Sequence, residues 1–177
     1  MSGVSIEIKA RCADPARVRS LLKSHRAIFR GLDHQVDTYF RVPSGRLKLR
    51  EGNIEKALIF YKRTNRKNSK KCDSVLYTCP DGRSLKKVLG GSLGVWAVVD
   101  KKREIYFIRN VKFHIDKVRD LGSFVEIEVF SRQGNAREKK LREQCEFYQK
   151  LLEIKKRDLV ADSYSDQIFT AGVMRNA

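Results

Sequence analysis

Val4-Ser5-Ile6-Glu7-Ile8-Lys9-Ala10-Arg11 alternates without exception, apolar at even positions and polar at odd ones. That period of two belongs to a β-strand with two different faces. The polar face is also nearly purely ionic in Glu7, Lys9 and Arg11. A half-buried strand ordinarily mixes Thr, Ser, Lys and Glu there without sorting.

The same sorting recurs along the chain. Arg46, Lys48 and Arg50 share one face, as do Lys101 and Arg103, Lys112, His114 and Asp116, and Glu126 and Glu128, each set opposite Ile, Leu, Val or Phe. Further β-rich runs at 34–41, 56–63 and 73–79 are separated by Pro43-Ser44-Gly45, by Gly52-Asn53 and by a basic loop. With strands at 45–51, 95–109, 111–117 and 123–130, this makes eight, mostly arranged as antiparallel hairpins. Asp14-Pro15 supplies an N-cap and a first-turn proline for a helix to Ser24, since Val18, Leu21 and Leu22 recur at helical spacing. Asp81 caps a second helix to Leu89, which Gly90-Gly91 is expected to end. A third runs from Asn135 with Leu141, Cys145, Tyr148 and Leu152 on one face, and the tail beyond it is weakly patterned.

The expected fold is therefore α+β, with residues 1–177 forming one domain whose core spans about 4–168. The chain has 177 residues, three prolines, and no apolar run of the roughly 18 residues that a membrane span needs. Membrane partners and an export signal are not expected; cytosol or nucleus is the expected compartment. The four cysteines form no CxxC pair and read as reduced thiols, with a Cys72–Cys79 disulfide as the alternative.

Charge narrows the ligand class. Thirty-eight Lys and Arg against 21 acids give +17, a field that attracts polyanions. If each ionic face simply meets solvent, no site follows. Eight antiparallel strands can instead close into a barrel, with helices outside covering the apolar faces and the ionic faces lining a tunnel. Such a lining repels itself unless an anion compensates it, so a polyanionic ligand is expected, and a triphosphate-containing small molecule would fit. Glu126 and Glu128, with Glu7 on another strand, would supply hard oxygen ligands for Mg²⁺ or Mn²⁺. The basic run from Lys62 to Lys71 reads as an exposed loop through which nucleic acid could bind.

Several segments in order carry a resemblance: Ser5 to Arg11, Gln35 to Phe40, Gly45 to Glu51, Leu58 to Arg63, Lys101 to Tyr106, Asn110 to Asp116, Leu121 to Glu128 and Asp162 to Asp166. Together they resemble the CYTH superfamily of triphosphate tunnel enzymes, in its class IV adenylyl cyclase-like branch. The resemblance implies an eight-stranded antiparallel tunnel with Lys9, Lys48, Arg50, Lys62, Lys101 and Arg103 on the phosphates. It implies Glu7, Glu126 and Glu128 as metal carboxylates and Asp116 as a further acidic site residue; Glu7, Lys9, Glu126, Glu128 and Asp116 form the expected catalytic set. Ser5 stands where the family signature has a first glutamate, which removes one charge from the metal cluster. Three functions follow as expectations: a metal-dependent triphosphate phosphohydrolase, an adenylyl cyclase, and a non-catalytic binder of polyphosphate, nucleotide or RNA ends.

Overall fold

The computed structural model describes residues 2–63, 70–131 and 138–175. Eight antiparallel strands close into a barrel in the order β1-β5-β4-β3-β2-β6-β7-β8, with β8 returning to β1. They are β1 (Ser2–Arg11), β2 (Ile28–Phe40), β3 (Arg46–Glu51), β4 (Lys56–Arg63), β5 (Lys70–Thr78), β6 (Val95–Ile108), β7 (Val111–Val118) and β8 (Gly122–Phe130). Closure satisfies the ladder on both sides of every strand, so no sheet edge is left open.

Alternation then sorts the residues. Outward from β1, β7 and β8, Ile6, Ile8, Phe113, Ile115, Val125 and Ile127 pack beneath α1 (Pro15–Ser24) and α3 (Glu138–Leu151), which contribute Val18, Leu22, Leu141, Cys145 and Tyr148. Burial of these apolar side chains, at roughly 25 cal/mol per Å², favours the barrel with its ionic faces inward. A smaller cluster of Phe40, Leu49 and Cys79 lies beneath α2 (Arg83–Leu93). Inside the barrel, Tyr39, Ile59, Tyr61, Val99 and Phe124 meet Tyr164 and fill part of the interior with an apolar core. The remaining interior is the cavity described below.

Four boundaries differ from the sequence reading. β2 starts at Ile28 rather than 34, because a bulge between Phe29 and Gly31, with Gly31 at φ +135°, breaks the alternation that marks a strand. α2 runs through Gly90 and Gly91; Gly94, at φ +74°, is the residue that ends it. Asp81 still serves that helix, accepting from the Arg83 amide at 3.0 Å, although Gly82 is the capping position. The weakly patterned tail forms α4 (Tyr164–Arg175), anchored by Phe169 against Trp96. The expected start of α3 at Asn135 and the basic run between Arg63 and Lys70 lie outside the described residues.

Cys12, Cys79 and Cys145 are free thiols. The alternative Cys72–Cys79 disulfide is excluded: Cys72 lies near one end of β5 and Cys79 just past the other, and an extended chain holds such residues far beyond bridging distance. Among the described residues no helix is long and apolar enough to cross a membrane.

Candidate functional site

A cavity of about 450 Å³ occupies the barrel interior. Its lining includes Glu7 and Lys9 from β1, Lys48 and Arg50 from β3, Lys101 and Arg103 from β6, and Glu126 and Glu128 from β8. Asp116 lies fully buried behind Arg103, on the inward face of β7. Lys62 does not join them. On β4 the inward residues are Ala57, Ile59 and Tyr61, so the next position, Lys62, is exposed on the outer face.

The cations are not left to repel one another, which corrects the expectation of a bare basic lining. Buried Asp37 on β2 gathers three of them: Lys48 Nζ at 2.9 Å, Lys101 Nζ at 2.9 Å, and Arg50 through Nε at 2.8 Å and Nη2 at 2.9 Å. Burial raises the proton affinity of Asp37, but Arg50, Lys101 and Lys48 more than reverse this and hold its carboxyl well below the ordinary range. Asp37 is the shared partner of all three, and Arg50 takes a second one in Glu55. Burial, together with Arg50, Arg103 and Lys48, pushes the Lys101 ammonium down to about 7 in spite of Asp37. Lys48 and Arg50 reach Asp37 because β3 pairs with β2 in a register that sets Asp37 opposite Arg50.

The facing wall of β7, β8 and β1 is richer in acids. Arg103 donates to Asp116 (Nε to Oδ1, 2.7 Å) and to Glu126 (Nη2 to Oε2, 2.6 Å), and Lys9 lies 3.3 Å from Glu126. Burial opposes ionisation of Glu126, yet Arg103 and Lys9 hold it well below the usual carboxylate range. One rung along, Glu7 and Glu128 are direct register partners. Burial and the neighbouring Glu7 charge raise the Glu128 carboxyl, the reverse of Asp37. Ser5, also buried on β1, hydrogen-bonds Glu128.

Five residues of the site escaped the sequence reading. Asp37, Glu55, Lys112, His114 and Tyr164 all line the cavity. Lys112 and His114 were legible as an ionic strand face, and Asp37 shares the inward period of β2 with Gln35 and Tyr39. Glu55 carried no such signal, because it lies in the β3–β4 turn. Asp33, buried on β2, accepts from the Ile54 and Glu55 amides of that turn at 2.8 and 3.0 Å. This folds Glu55 inward onto Arg50 (2.7 Å) and Lys112. Tyr164 enters from α4, donating to Asp116 at 2.8 Å with Lys9 Nζ 3.8 Å above its ring.

The donor set suits a divalent cation at Glu7 and Glu128, two half-buried register partners, where burial and the Glu7 charge raise the Glu128 carboxyl. Among the described residues no group of three or more His, Cys, Asp or Glu is placed to hold a metal ion. Glu126, the third expected carboxylate, is engaged by Lys9 and Arg103 instead. An ion at Glu7 and Glu128 would complete its shell with water and phosphate oxygens, as Mg²⁺ commonly does.

The architecture has solved counterparts. A Pyrococcus horikoshii protein is 25% identical, with a TM-score of 0.77 over 93% of this chain and 99% of its own. A candidate adenylate cyclase from Vibrio parahaemolyticus is 18% identical (TM-score 0.74, 94% and 97% covered). A candidate adenylyl cyclase from Hippeastrum, described as revealing a dominant triphosphatase activity, is 12% identical (TM-score 0.60, 96% of each chain). No curated protein matches the sequence. The CYTH domain family model matches residues 4–164, which span the whole barrel and the tyrosine that reaches into it, and this chain belongs to the CYTH domain family.

Proposed function

We propose that this protein is a divalent-metal-dependent phosphohydrolase that acts on the triphosphate group of inorganic triphosphate or a nucleoside triphosphate. The observation that carries this reading is the division of charge across the cavity. Lys48, Arg50 and Lys101 gather on Asp37 on one side, with Glu55 as a second partner of Arg50, and Glu7 and Glu128 stand together on the other.

A surplus of cations suits phosphate oxygens, which gain charge-assisted hydrogen bonds without new desolvation of the site. In this reading Lys48, Arg50 and Lys101 bind and orient the chain of phosphates, while Lys9 and Arg103 approach it from the Glu126 side. Glu7 and Glu128 would hold the divalent ion, Mg²⁺ or Mn²⁺, which when bound polarises a phosphoryl oxygen and neutralises developing charge. The Hippeastrum protein's triphosphatase activity agrees with this assignment, although at 12% identity the likeness supports only the fold.

The test offers the purified protein inorganic triphosphate, ATP and GTP with Mg²⁺ or Mn²⁺ and quantifies phosphate, pyrophosphate and cyclic nucleotide together. Metal-dependent release of phosphate is expected. Cyclic nucleotide with equimolar pyrophosphate would replace this reading with a cyclase, and binding without any product would replace it with a non-catalytic receptor.

A further inference from the structure

The β3–β4 turn is clamped to β2 through its backbone. Asp33 accepts from the Ile54 and Glu55 amides, while Asn53 accepts from the His34 amide at 2.6 Å and donates to the Leu32 carbonyl at 3.1 Å. Gly52 permits this close approach, because a Cβ there would meet the Glu55 carbonyl oxygen at 2.6 Å and the Asp33 carboxylate at 2.8 and 2.9 Å. The clamp fixes the point from which the flexible Glu55 side chain starts.

From that point Glu55 fills a place suited to an anion. Its Oε2 accepts from Arg50 Nη1 at 2.7 Å and from Gln35 Nε2 at 3.1 Å, and its Oε1 accepts from Lys112. Burial favours the protonated acid, but Lys112 and Arg50 more than reverse this and hold the carboxyl far below the usual range. Arg50 also gives Nε and Nη2 to Asp37, so every nitrogen of its guanidinium donates to a carboxylate. A phosphate oxygen that is to meet Arg50 Nη1 and Lys112 together competes with Glu55 for them.

Depth separates the two carboxylates. The Asp37 side chain is 1% exposed and enclosed by its three cations, whereas that of Glu55 is 27% exposed. Glu55 thus stands on the solvent side of the cationic wall, beside Ile54, which lines the cavity and is itself 47% exposed. Rotation of its side chain carries the carboxylate into water without moving the clamped turn.

Resting on the phosphohydrolase reading, we propose that Arg50 Nη1 and Lys112 Nζ form a phosphate subsite on the solvent side of the cavity, which Glu55 occupies until a triphosphate displaces it. The phosphate is the stronger occupant, since it brings more charge and more acceptor oxygens to the same two donors. Released to water, the Glu55 carboxylate regains its hydration, which offsets the ion pairs it gives up. With the cavity unliganded, the resident carboxylate keeps two neighbouring cations from facing each other without counter-charge. It returns to them as the phosphate leaves. Lys112 joins the phosphate-binding residues by this route, and Glu55 sets how tightly they hold.

Contact has to be separated from field, because removing any acid from this cavity favours an anion. Glu55→Gln removes the charge, whereas Glu55→Asp keeps it and draws it one methylene back from Arg50 and Lys112. Calorimetric affinities for imidotriphosphate and for the β,γ-imido analogue of ATP, with Mg²⁺, are measured for both variants and wild type, with thermal unfolding as the check on folding. Binding is expected to tighten roughly 10-fold in Glu55→Gln, the scale of one charge-assisted hydrogen bond, and about threefold or more in Glu55→Asp. A crystal structure of the wild-type complex should show Glu55 turned away from Arg50 and Lys112, with phosphate oxygens in its place, and it decides the matter even where a variant fails to fold. The proposal is overturned by Glu55 still seated on both donors in that complex, by unchanged or weaker binding in Glu55→Gln, or by Glu55→Asp binding like wild type while Glu55→Gln gains, which is an effect of field alone. A wild type that binds neither analogue overturns the phosphohydrolase reading itself and takes this proposal with it; the other results leave that reading standing.

Discussion

The two sides of the cavity solve opposite electrostatic problems. At Asp37, one fully buried carboxylate is held in its charged form by three cations, and one of these, Lys101, is pushed toward neutrality. At Glu128, a carboxylate is pushed toward its protonated form by burial and by Glu7. In the proposed reaction a metal–triphosphate complex would bring phosphate oxygens to the cationic wall and a divalent cation to Glu128.

The largest effect is expected where the imbalance is greatest. Asp37→Asn leaves Lys48, Arg50 and Lys101 without their shared counterion and should lower unfolding free energy by about 3–5 kcal/mol in denaturant titrations. Saturating tripolyphosphate should restore much of that loss. If the variant unfolds like wild type without ligand, Asp37 is not the hub of the cationic wall. Next, Lys101→Met should weaken tripolyphosphate binding by roughly 10- to 100-fold, the worth of a charge-assisted hydrogen bond. Calorimetry reads this, and an unchanged affinity would take Lys101 out of the phosphate site.

The acidic wall is probed through metal dependence. Glu128→Gln should raise the Mg²⁺ concentration for half-maximal turnover by about tenfold or more, the scale of losing a partner at a metal centre. Ser5→Glu, adding a carboxylate beside Glu128, should lower it by a smaller factor; a rise would mean that crowding of charge outweighs the added ligand. Without metal, Glu128→Gln should stabilise the protein near neutral pH. The sign is set by linkage: a carboxyl raised in the folded state binds its proton there more tightly than in the unfolded chain, so stability falls as pH rises from the ordinary glutamate value through the raised one. The glutamine variant should lose that slope.

The smallest effect is a fraction of a proton. With the folded Lys101 value near 7, ligand-free stability rises as pH climbs from about 7 toward the ordinary lysine value, because only the unfolded chain still holds that proton. Phosphate binding favours the charged ammonium, so near pH 7.5 tripolyphosphate should draw in up to about one proton by linkage. Calorimetry in buffers of different ionisation heat measures the uptake, and Lys101→Met should abolish it.

Alternation made much of this readable in advance. Strict period two placed Glu7, Lys9, Lys48, Arg50, Lys101, Arg103, Glu126 and Glu128 on single faces, and closure of the barrel turned those faces inward. Lys62 failed because its adjacency to Tyr61 in a motif says nothing about parity, and parity sends it outside. Glu55 and Tyr164 were illegible for another reason: they arrive from a turn and a tail, where position depends on the Asp33 cap and on α4 packing against β6 rather than on a repeating pattern. The partners within the cavity were hidden too, since a sequence face shows which charges are present but not that Asp37 will take three of them.

Closure of the ring also sets a timetable for folding. β1 is hydrogen-bonded to β5 on one side and to β8 on the other, so the first strand cannot complete its ladders until the last one has formed. Such pairings between distant parts of the chain carry loop-closure entropy before they return any contact energy, which slows folding relative to helical proteins of similar size. The pairing of Glu7 with Glu128 and of Lys9 with Glu126 forms only at that final step. Until β8 docks, Lys9 has no Glu126 and Arg103 no Glu126 to donate to, and the half-built barrel exposes two open strand edges. A polyphosphate present during refolding should therefore accelerate the late phase, by supplying counter-charge before the barrel has assembled its own.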